Sequence, residues 1–324
     1  MKTLGIDMHS YGMQWAKAKQ NPAGARFHDP LTFLEYAHRL GAGGVQVGIG
    51  IQDQEYCRKI RNLTERTGTY IEGQVSLPSA ESGLERFEAE LVSAERAGAT
   101  IIRTAMLGGR RYETFNSVAE FREFSASAWK ALVRAEPIAR KNRVKIAIEN
   151  HKDWLIPELL EIIRKISGEW VGICVDTGNS IALLEDPMEV VNAYAPFALS
   201  THLKDMAVKD YEDGFLLSEI PLGTGILDIK EIRTRLETAN PQIRWNLEMI
   251  TRDPLRVPIL KEKYWATFEK MPASQLAKAV GFIREKGAPQ PLPQITGRSD
   301  EEKLKIEDDN VRQSLDYARS SLGL

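Results

Sequence analysis

The feature that most constrains this chain is a regular alternation of short apolar runs with longer segments of helical spacing. Eight runs are strand candidates, at residues 4–8, 45–49, 70–77, 101–106, 144–148, 171–175, 198–203 and 243–249. The segments between them are amphipathic, with apolar residues three and four positions apart. Continuous apolar strands that alternate with such helices predict a parallel sheet covered by helices. Eight units of this kind predict an α/β fold of the (β/α)8 TIM-barrel type.

An open, doubly wound parallel sheet is the alternative fold for this pattern. Such sheets usually carry a glycine-rich turn after the first strand, where a dinucleotide binds. Here the first strand runs into the sequence DMHSY at residues 7–11, which contains no glycine. The sequence therefore favours the closed barrel.

The alternation ends after the eighth strand. We predict a catalytic barrel over residues 1–255 and a C-terminal helical extension over residues 256–324. A proline-rich stretch at residues 289–293 predicts a linker. It precedes a charged segment whose apolar residues fall near one helical face: Leu304, Val311, Leu315 and Leu322. We expect this stripe to pack on the barrel or on a partner subunit.

Composition excludes several classes of partner. Lys plus Arg (43) nearly balances Asp plus Glu (45), so the net charge of -2 gives no field that gathers nucleic acid or anionic lipid. No apolar stretch reaches the length of about 18 residues that a membrane span needs. The two cysteines, Cys57 and Cys174, are no disulfide framework in so long a chain. We expect a cytoplasmic protein without nucleic-acid or membrane partners.

Polar residues stand at the ends of the last four predicted strands: Glu149, Asp176, His202 and Glu248. In a parallel barrel such residues meet at one mouth, where active sites lie. Three carboxylates there raise one another's pKa unless a cation holds them, and three carboxylates with one imidazole suit several divalent ions. A solvated cluster of helix-capping acids is the alternative. We predict one divalent metal ion, Mn²⁺ first, with Mg²⁺, Co²⁺ or Zn²⁺ as alternatives.

These strand ends also carry a family resemblance. The sequences ENH at 149–151, DTGN at 176–179, HLKD at 202–205 and LE at 247–248 resemble the xylose isomerase-like, or sugar phosphate isomerase/epimerase, superfamily. The resemblance covers about residues 1–255, and it implies that Glu149, Asp176, His202 and Glu248 hold a single divalent metal. One position departs from the pattern, because many relatives have His where this chain has Asn179. Asn179 can hydrogen-bond a substrate but cannot act as a base.

The superfamily also contains an abasic-site nuclease that needs several metals and additional histidines. This chain has five histidines in all and none between His38 and His151. A multinuclear site and tight binding to a phosphate backbone are therefore not predicted.

The leading hypothesis is an isomerase or epimerase of a ketose or sugar-derived keto acid, working through an enediolate that the metal stabilises. Glu149 and Glu248 are the predicted acid and base on the two faces of the substrate, and a pure ligand role is the alternative for either. Lys204 is predicted to steady an oxyanion, or else is a solvated lysine. His151 is predicted to shuttle a proton, or else is structural.

Six further residues are predicted to line the mouth and bind substrate: His9, Tyr11, Glu72, Arg103, Asn179 and Arg252. The arginines favour a substrate with a carboxylate or phosphate. Glu72 and Arg103 could instead be partners for one another inside the barrel.

A metal-dependent lyase is the rival hypothesis, either a dehydratase or a β-keto acid decarboxylase on a sugar-acid derivative. The same enediolate arises when a β-keto acid loses carbon dioxide. A non-catalytic sugar-binding barrel is disfavoured, because it leaves the intact ligand set unexplained. Either enzyme takes a small carbohydrate-derived substrate, and assembly into a homo-oligomer stays open.

Overall fold

The computed structural model describes residues 3–324; residues 1 and 2, with which the predicted catalytic domain begins, lie outside the described residues. The barrel strands are β1 (Gly5–Asp7), β2 (Gly44–Val47), β3 (Tyr70–Gln74), β4 (Ile101–Thr104), β5 (Lys145–Glu149), β6 (Val171–Asp176), β7 (Ala198–Leu203) and β10 (Arg244–Leu247). Three further strands are β8 (Asp205–Tyr211), β9 (Gly214–Ile220) and β11 (Leu255–Val257).

The first set closes into a parallel barrel in the order β1-β10-β7-β6-β5-β4-β3-β2. Each predicted apolar run overlaps one barrel strand, with ends that differ by at most a few residues. The strands are buried on both faces, which is why they appear in the sequence as continuous apolar runs. The (β/α)8 barrel prediction is confirmed.

Helices surround the barrel and continue beyond it. Those that follow barrel strands are α1 (Gly12–Gln20), α2 (Pro30–Arg39), α3 (Gln54–Thr67), α4 (Leu84–Arg96), α5 (Arg111–Thr114), α6 (Val118–Asn142), α7 (Ile156–Ile166), α8 (Pro187–Tyr194) and α9 (Ile229–Ala239). The later helices are α10 (Glu262–Trp265), α11 (Ala273–Lys286) and α12 (Asp300–Tyr317). In the described part of the chain, no helix is both long and apolar enough to cross a membrane.

A small antiparallel sheet, in the order β11-β9-β8, stands beside the mouth and was not predicted from the sequence. Its hairpin turns through the two residues Glu212 and Asp213, so that Tyr211 and Gly214 pair across the two strands. The carboxylate of Asp205 anchors the hairpin at its base, where it accepts N–H bonds from Gly223 at 3.0 Å and Gly225 at 2.9 Å. The hairpin therefore leaves and rejoins the barrel at one fixed place above β7.

The residues after the barrel pack on the same molecule. Leu255 and Val257 of β11, together with Tyr264 and Ile283, share a second apolar cluster with the hairpin. The predicted boundary between residues 255 and 256 falls inside β11, so the division into barrel and extension stays a prediction.

Helix α12 packs against the loop behind β1. Glu307 accepts the N–H groups of Met13 at 2.7 Å and Gln14 at 3.0 Å, and so supplies the start of α1 with a carboxylate from a distant part of the chain. Asn310 of the same helix donates to Thr251 at 2.9 Å, in the loop behind β10. One helix thus connects the loops that follow the first and the last barrel strands.

Candidate metal centre

Four side chains from neighbouring strands converge at the carboxyl end of the barrel. Glu149 and Asp176 are the last residues of β5 and β6, His202 lies near the end of β7, and Glu248 directly follows β10. All four are buried, and their ligand atoms lie within 4.8 Å of one another. His202 Nδ1 is 3.2 Å from Glu248 Oε2, 3.5 Å from Glu149 Oε1 and 3.8 Å from Asp176 Oδ2.

The donor set fits a divalent cation. Three of its atoms, Asp176 Oδ2, His202 Nδ1 and Glu248 Oε2, are buried and make no hydrogen bond. Buried polar atoms are normally bonded, and His202 Nδ1 faces the oxygens of three carboxylates at 3.2 to 3.8 Å with no donor beside it, which indicates a missing positive partner. Lys204 Nζ lies 3.0 Å from Asp176 Oδ2 and 2.6 Å from Glu248 Oε2, which compensates part of the negative charge but satisfies no imidazole nitrogen.

A chain of hydrogen bonds fixes the orientation of the His202 ring. Glu72 Oε2 accepts from the Gln46 amide nitrogen at 2.9 Å, so the Gln46 oxygen points the other way, 2.7 Å from His202 Nε2. An amide oxygen only accepts, and His202 Nε2 therefore carries the proton. The lone pair is left on Nδ1, which faces the carboxylates, as a metal-binding imidazole requires.

We predict that Gln46→Met weakens metal binding by about 10- to 100-fold, the usual effect of losing the group that orients a ligating histidine. Titration of metal-free protein with Mn²⁺, in competition with a chelator, measures the affinity. Gln20→Met, at the exposed end of α1, is the matched control and should bind the metal as the unmodified chain does. Equal affinities for the two variants would contradict the proposed role of Gln46.

The remaining contacts of Glu149 occupy both of its oxygens. Arg103 donates to Oε2, and Asn179 Nδ2 lies 3.1 Å from Oε1. Arg103 therefore pairs with Glu149 and not with Glu72, which was the alternative for both. Two donors thus hold the Glu149 carboxylate in place.

Glu248 sits in a different environment. Burial on its own raises the pKa of a carboxyl group, but Lys204 and His202 beside Glu248 hold its pKa well below the ordinary value. His9 lies at the rim, with Nδ1 2.8 Å from Asp7 Oδ1 and 3.6 Å from Glu248 Oε1. The charge of Asp7 raises the pKa of His9, since a carboxylate favours the protonated ring.

Asn179 is fully buried beside the four converging side chains. Its Oδ1 accepts from Lys152 and, at 3.3 Å, from Lys204. Lys152 was not predicted as a site residue, although it lies three positions after Glu149. Burial first, and then the charge of Lys204, lowers the pKa of Lys152 to about 7.

The hairpin supplies a second residue that was not predicted. Glu219 of β9 is buried, 2.5 Å from Arg252 and 3.8 Å from Lys204 Nζ. Burial raises the pKa of a carboxyl group, yet the positive charges of Arg252 and Lys204 bring the pKa of Glu219 below its ordinary value. Arg252 is thus close to the site but bound to a carboxylate of the protein.

Two predicted mouth residues lie elsewhere. Tyr11 is fully buried between α2 and α12, where its hydroxyl donates to Asp308 at 2.9 Å, because the short 3-10 turn after β1 directs its ring into an aromatic cluster. Glu72 lies deeper in the barrel and accepts from Ser200 at 2.6 Å and Asn246 at 2.9 Å. The prediction that Tyr11 lines the mouth is therefore wrong. Glu72 lies below the mouth and orients His202 through Gln46.

His151 follows Glu149 in the loop behind β5. Its Nδ1 lies 3.1 Å from the Gly109 carbonyl oxygen, which fixes the proton on that nitrogen and leaves Nε2 as the acceptor. Burial and the positive charge of Lys152 lower the pKa of His151 well below its ordinary value. The ring is therefore neutral and can accept a proton.

Some of these residues carry a signal in the sequence. Asp7 ends β1 as the four ligands end theirs, and Gln46 is the one polar residue in β2. Lys152 could have been found as a charge in a loop that begins with a ligand. Glu219 has no such signal, because its place depends on a hairpin folding back over the mouth.

A cavity of about 610 Å³ adjoins the centre between the loops that follow β3 and β4. Arg103 and Gln74 line it, and both also contact the cluster, through Glu149 and Asp7 respectively. Thr104 Oγ1 and Arg103 Nε are buried there without hydrogen bonds. The cavity is large enough for a small polar molecule, and Arg103 connects its lining to Glu149.

Comparison with known proteins places this geometry in a family. Residues 34–286 match the family described as xylose isomerase-like TIM barrel. A similar characterised protein is 3-oxo-isoapionate decarboxylase of Pectobacterium atrosepticum, which is 27% identical over 235 residues, or 69% of this chain and 78% of that protein.

Several solved structures share the fold. A D-psicose 3-epimerase determined in the presence of D-fructose covers 99% of this chain and 100% of its own, at 14% identity and a TM-score of 0.64. A probable 3-DHS dehydratase from Bacillus anthracis covers 83% and 100%, at 17% identity and a TM-score of 0.59. A magnesium complex from Mycobacterium smegmatis covers 89% and 98%, at 15% identity and a TM-score of 0.58. The family match spans most of the chain, and the protein belongs to the xylose isomerase-like TIM-barrel family.

Proposed function

We propose that the protein is a metal-dependent decarboxylase of a sugar-derived 3-oxo acid, with the metal held by Glu149, Asp176, His202 and Glu248. The observation that carries the proposal is the state of Glu149, whose oxygens are both occupied by donors, Arg103 and Asn179. Arg103 and Asn179 hold this carboxylate in a fixed orientation beside the other metal-binding side chains, whereas an epimerase that uses two carboxylates needs Glu149 to exchange a proton with carbon as well. A decarboxylase needs no base to remove a proton from carbon.

The surrounding charges support an anionic substrate. Lys152, Lys204, Arg103 and Arg252 all stand at or beside the ligand set. Among residues 3–324, only Glu219 adds a negative charge in contact with these cations outside the ligand set. The similarity to 3-oxo-isoapionate decarboxylase points to the same substrate class, since its name describes loss of carbon dioxide from a 3-oxo acid.

When bound, the metal supplies an electrophile that polarises the 3-oxo group. As the carbon–carbon bond breaks, its electron pair moves toward the oxo oxygen, carbon dioxide leaves, and the carbon that held it takes up a proton. Lys204 is the nearest ammonium to the ligand set, 2.6 Å from Glu248 Oε2, and we assign it as the proton donor. Glu248 holds the ammonium in place.

Product analysis tests the proposal. Mn²⁺-loaded protein is incubated with 3-oxo sugar acids, first 3-oxo-isoapionate, and separately with ketoses, and the products are analysed by mass spectrometry. We expect loss of carbon dioxide from a 3-oxo acid and, in deuterated water, one deuterium on the carbon that carried the carboxylate. A product of unchanged formula would replace this proposal with isomerisation or epimerisation, to which the fold is equally suited. Protein with His202→Ala is the control for uncatalysed loss of carbon dioxide.

A further inference from the structure

Lys152 is a buried cation with little to balance it. The residue is 2% exposed, and its ammonium donates to the neutral Asn179 Oδ1. Within residues 3–324, no carboxylate oxygen lies within 4.0 Å of its nitrogen, and Asn179 is its one hydrogen-bond acceptor. Buried lysines are normally paired, because removing an ammonium from water is costly.

A second ammonium points to the same atom. Lys204 Nζ lies 3.3 Å from Asn179 Oδ1, so two positive groups converge on one uncharged oxygen. Lys204 also contacts Asp176 and Glu248, whose charges are shared with a metal once one is bound. With a metal bound, the ammonium groups of Lys152 and Lys204 therefore have too little negative charge from the protein to balance them.

We propose that Lys152 and Lys204 form an anion subsite that binds the carboxylate of the substrate beside the metal centre. The inference rests on the proposed function and narrows its substrate class to acids, because a neutral ketose would leave Lys152 without an anionic partner. A carboxylate there accepts charge-assisted hydrogen bonds from the free N–H groups of Lys152. Its position next to the ligand set places the neighbouring oxo group toward the metal.

An uncharged Lys152 is the competing explanation, since its pKa is lowered to about 7. The charged groups that act on it are Lys204 and Arg252, which lower its pKa, and Glu219 and Asp176, which raise it. A bound carboxylate favours the charged amine and so raises the pKa of Lys152. By linkage, the subsite binds anions most tightly at a pH below the pKa of free Lys152 and progressively less tightly as the pH rises through it.

The test compares two probes that differ in one group, D-erythronate and the neutral polyol erythritol. Calorimetric titration of Mn²⁺-loaded protein should show binding of D-erythronate and at least tenfold weaker binding of erythritol. Lys152→Met should weaken erythronate binding by about 10- to 100-fold, as expected for lost hydrogen bonds to a charged group, with unchanged metal content. Lys152→Arg should retain most of the affinity, and Lys165→Met, on the exposed face of α7, should retain all of it.

Unchanged erythronate affinity in Lys152→Met would overturn the subsite, because the metal alone would then account for binding. If Lys152→Met does not fold, the pH dependence of the unmodified protein decides: erythronate affinity that stays constant between pH 6 and about pH 9 would equally overturn it. A different result would contradict the decarboxylase proposal. Lys152-dependent binding of erythronate without release of carbon dioxide from any 3-oxo acid would retain the subsite and reject the reaction.

Discussion

His202→Ala is expected to abolish both metal binding and turnover. The ring supplies the one nitrogen of the ligand set. Without it, the three buried carboxylates bind the ion more weakly and repel one another more strongly. Elemental analysis of protein prepared in excess Mn²⁺ should find about one ion per chain in the unmodified protein and far less in the variant. Turnover should fall by at least about three orders of magnitude.

His28→Ala is the matched control, since His28 is exposed at the start of α2 and its ring contacts only Asp29. It should retain the metal and the activity. Addition of Mn²⁺ should raise the melting temperature of the control but not of His202→Ala, because only the folded site binds the ion. A His202→Ala protein that kept a full complement of metal would remove the basis of the whole proposal.

Lys204→Met should lower turnover by about two to four orders of magnitude, the usual effect of losing a positioned general acid. The ammonium contacts Glu248 Oε2 at 2.6 Å and Asp176 Oδ2 at 3.0 Å but is not itself one of the four metal-binding side chains. Metal content should therefore stay near one ion per chain. Lys230→Met on the exposed surface of α9 controls for the substitution itself.

The kinetic constants kcat and KM separate acid catalysis by Lys204 from simple binding of the substrate carboxylate. If Lys204 only binds the carboxylate, Lys204→Met raises KM and leaves kcat nearly unchanged. If it donates the proton, kcat falls with KM little altered. A variant with normal kcat would transfer the role of proton donor to water.

The barrel and the convergence of the four ligands could be predicted, because both follow from rules that act along the chain. Apolar runs of strand length mark the barrel, and parallel strands bring their last residues to one edge. The same rules fail for Tyr11, which also follows a strand. A 3-10 turn directs its side chain into the core, where its hydroxyl donates a hydrogen bond to Asp308.

Contacts between distant parts of the chain could not be predicted from local patterns. The pairing of Arg103 with Glu149, and not with Glu72, depends on which side chains neighbouring strands place in the same layer. The hairpin that carries Glu219 turns at residues 212–213, yet nothing in the sequence gives the direction in which it folds over the mouth. Lys152 stands out only once its lack of a carboxylate partner can be measured.

Because α12 contacts the loop behind β1, this part of the barrel rim is completed at a later stage of folding than the barrel strands. The hydrogen bond from Met13 to Glu307 closes a span of 294 residues, so it cannot form until all eight barrel strands have been synthesised. Closing so long a span is entropically unfavourable and late in assembly. Detachment of α12 would release the segment that carries His9 while the four ligands, on β5, β6, β7 and β10, stay in register.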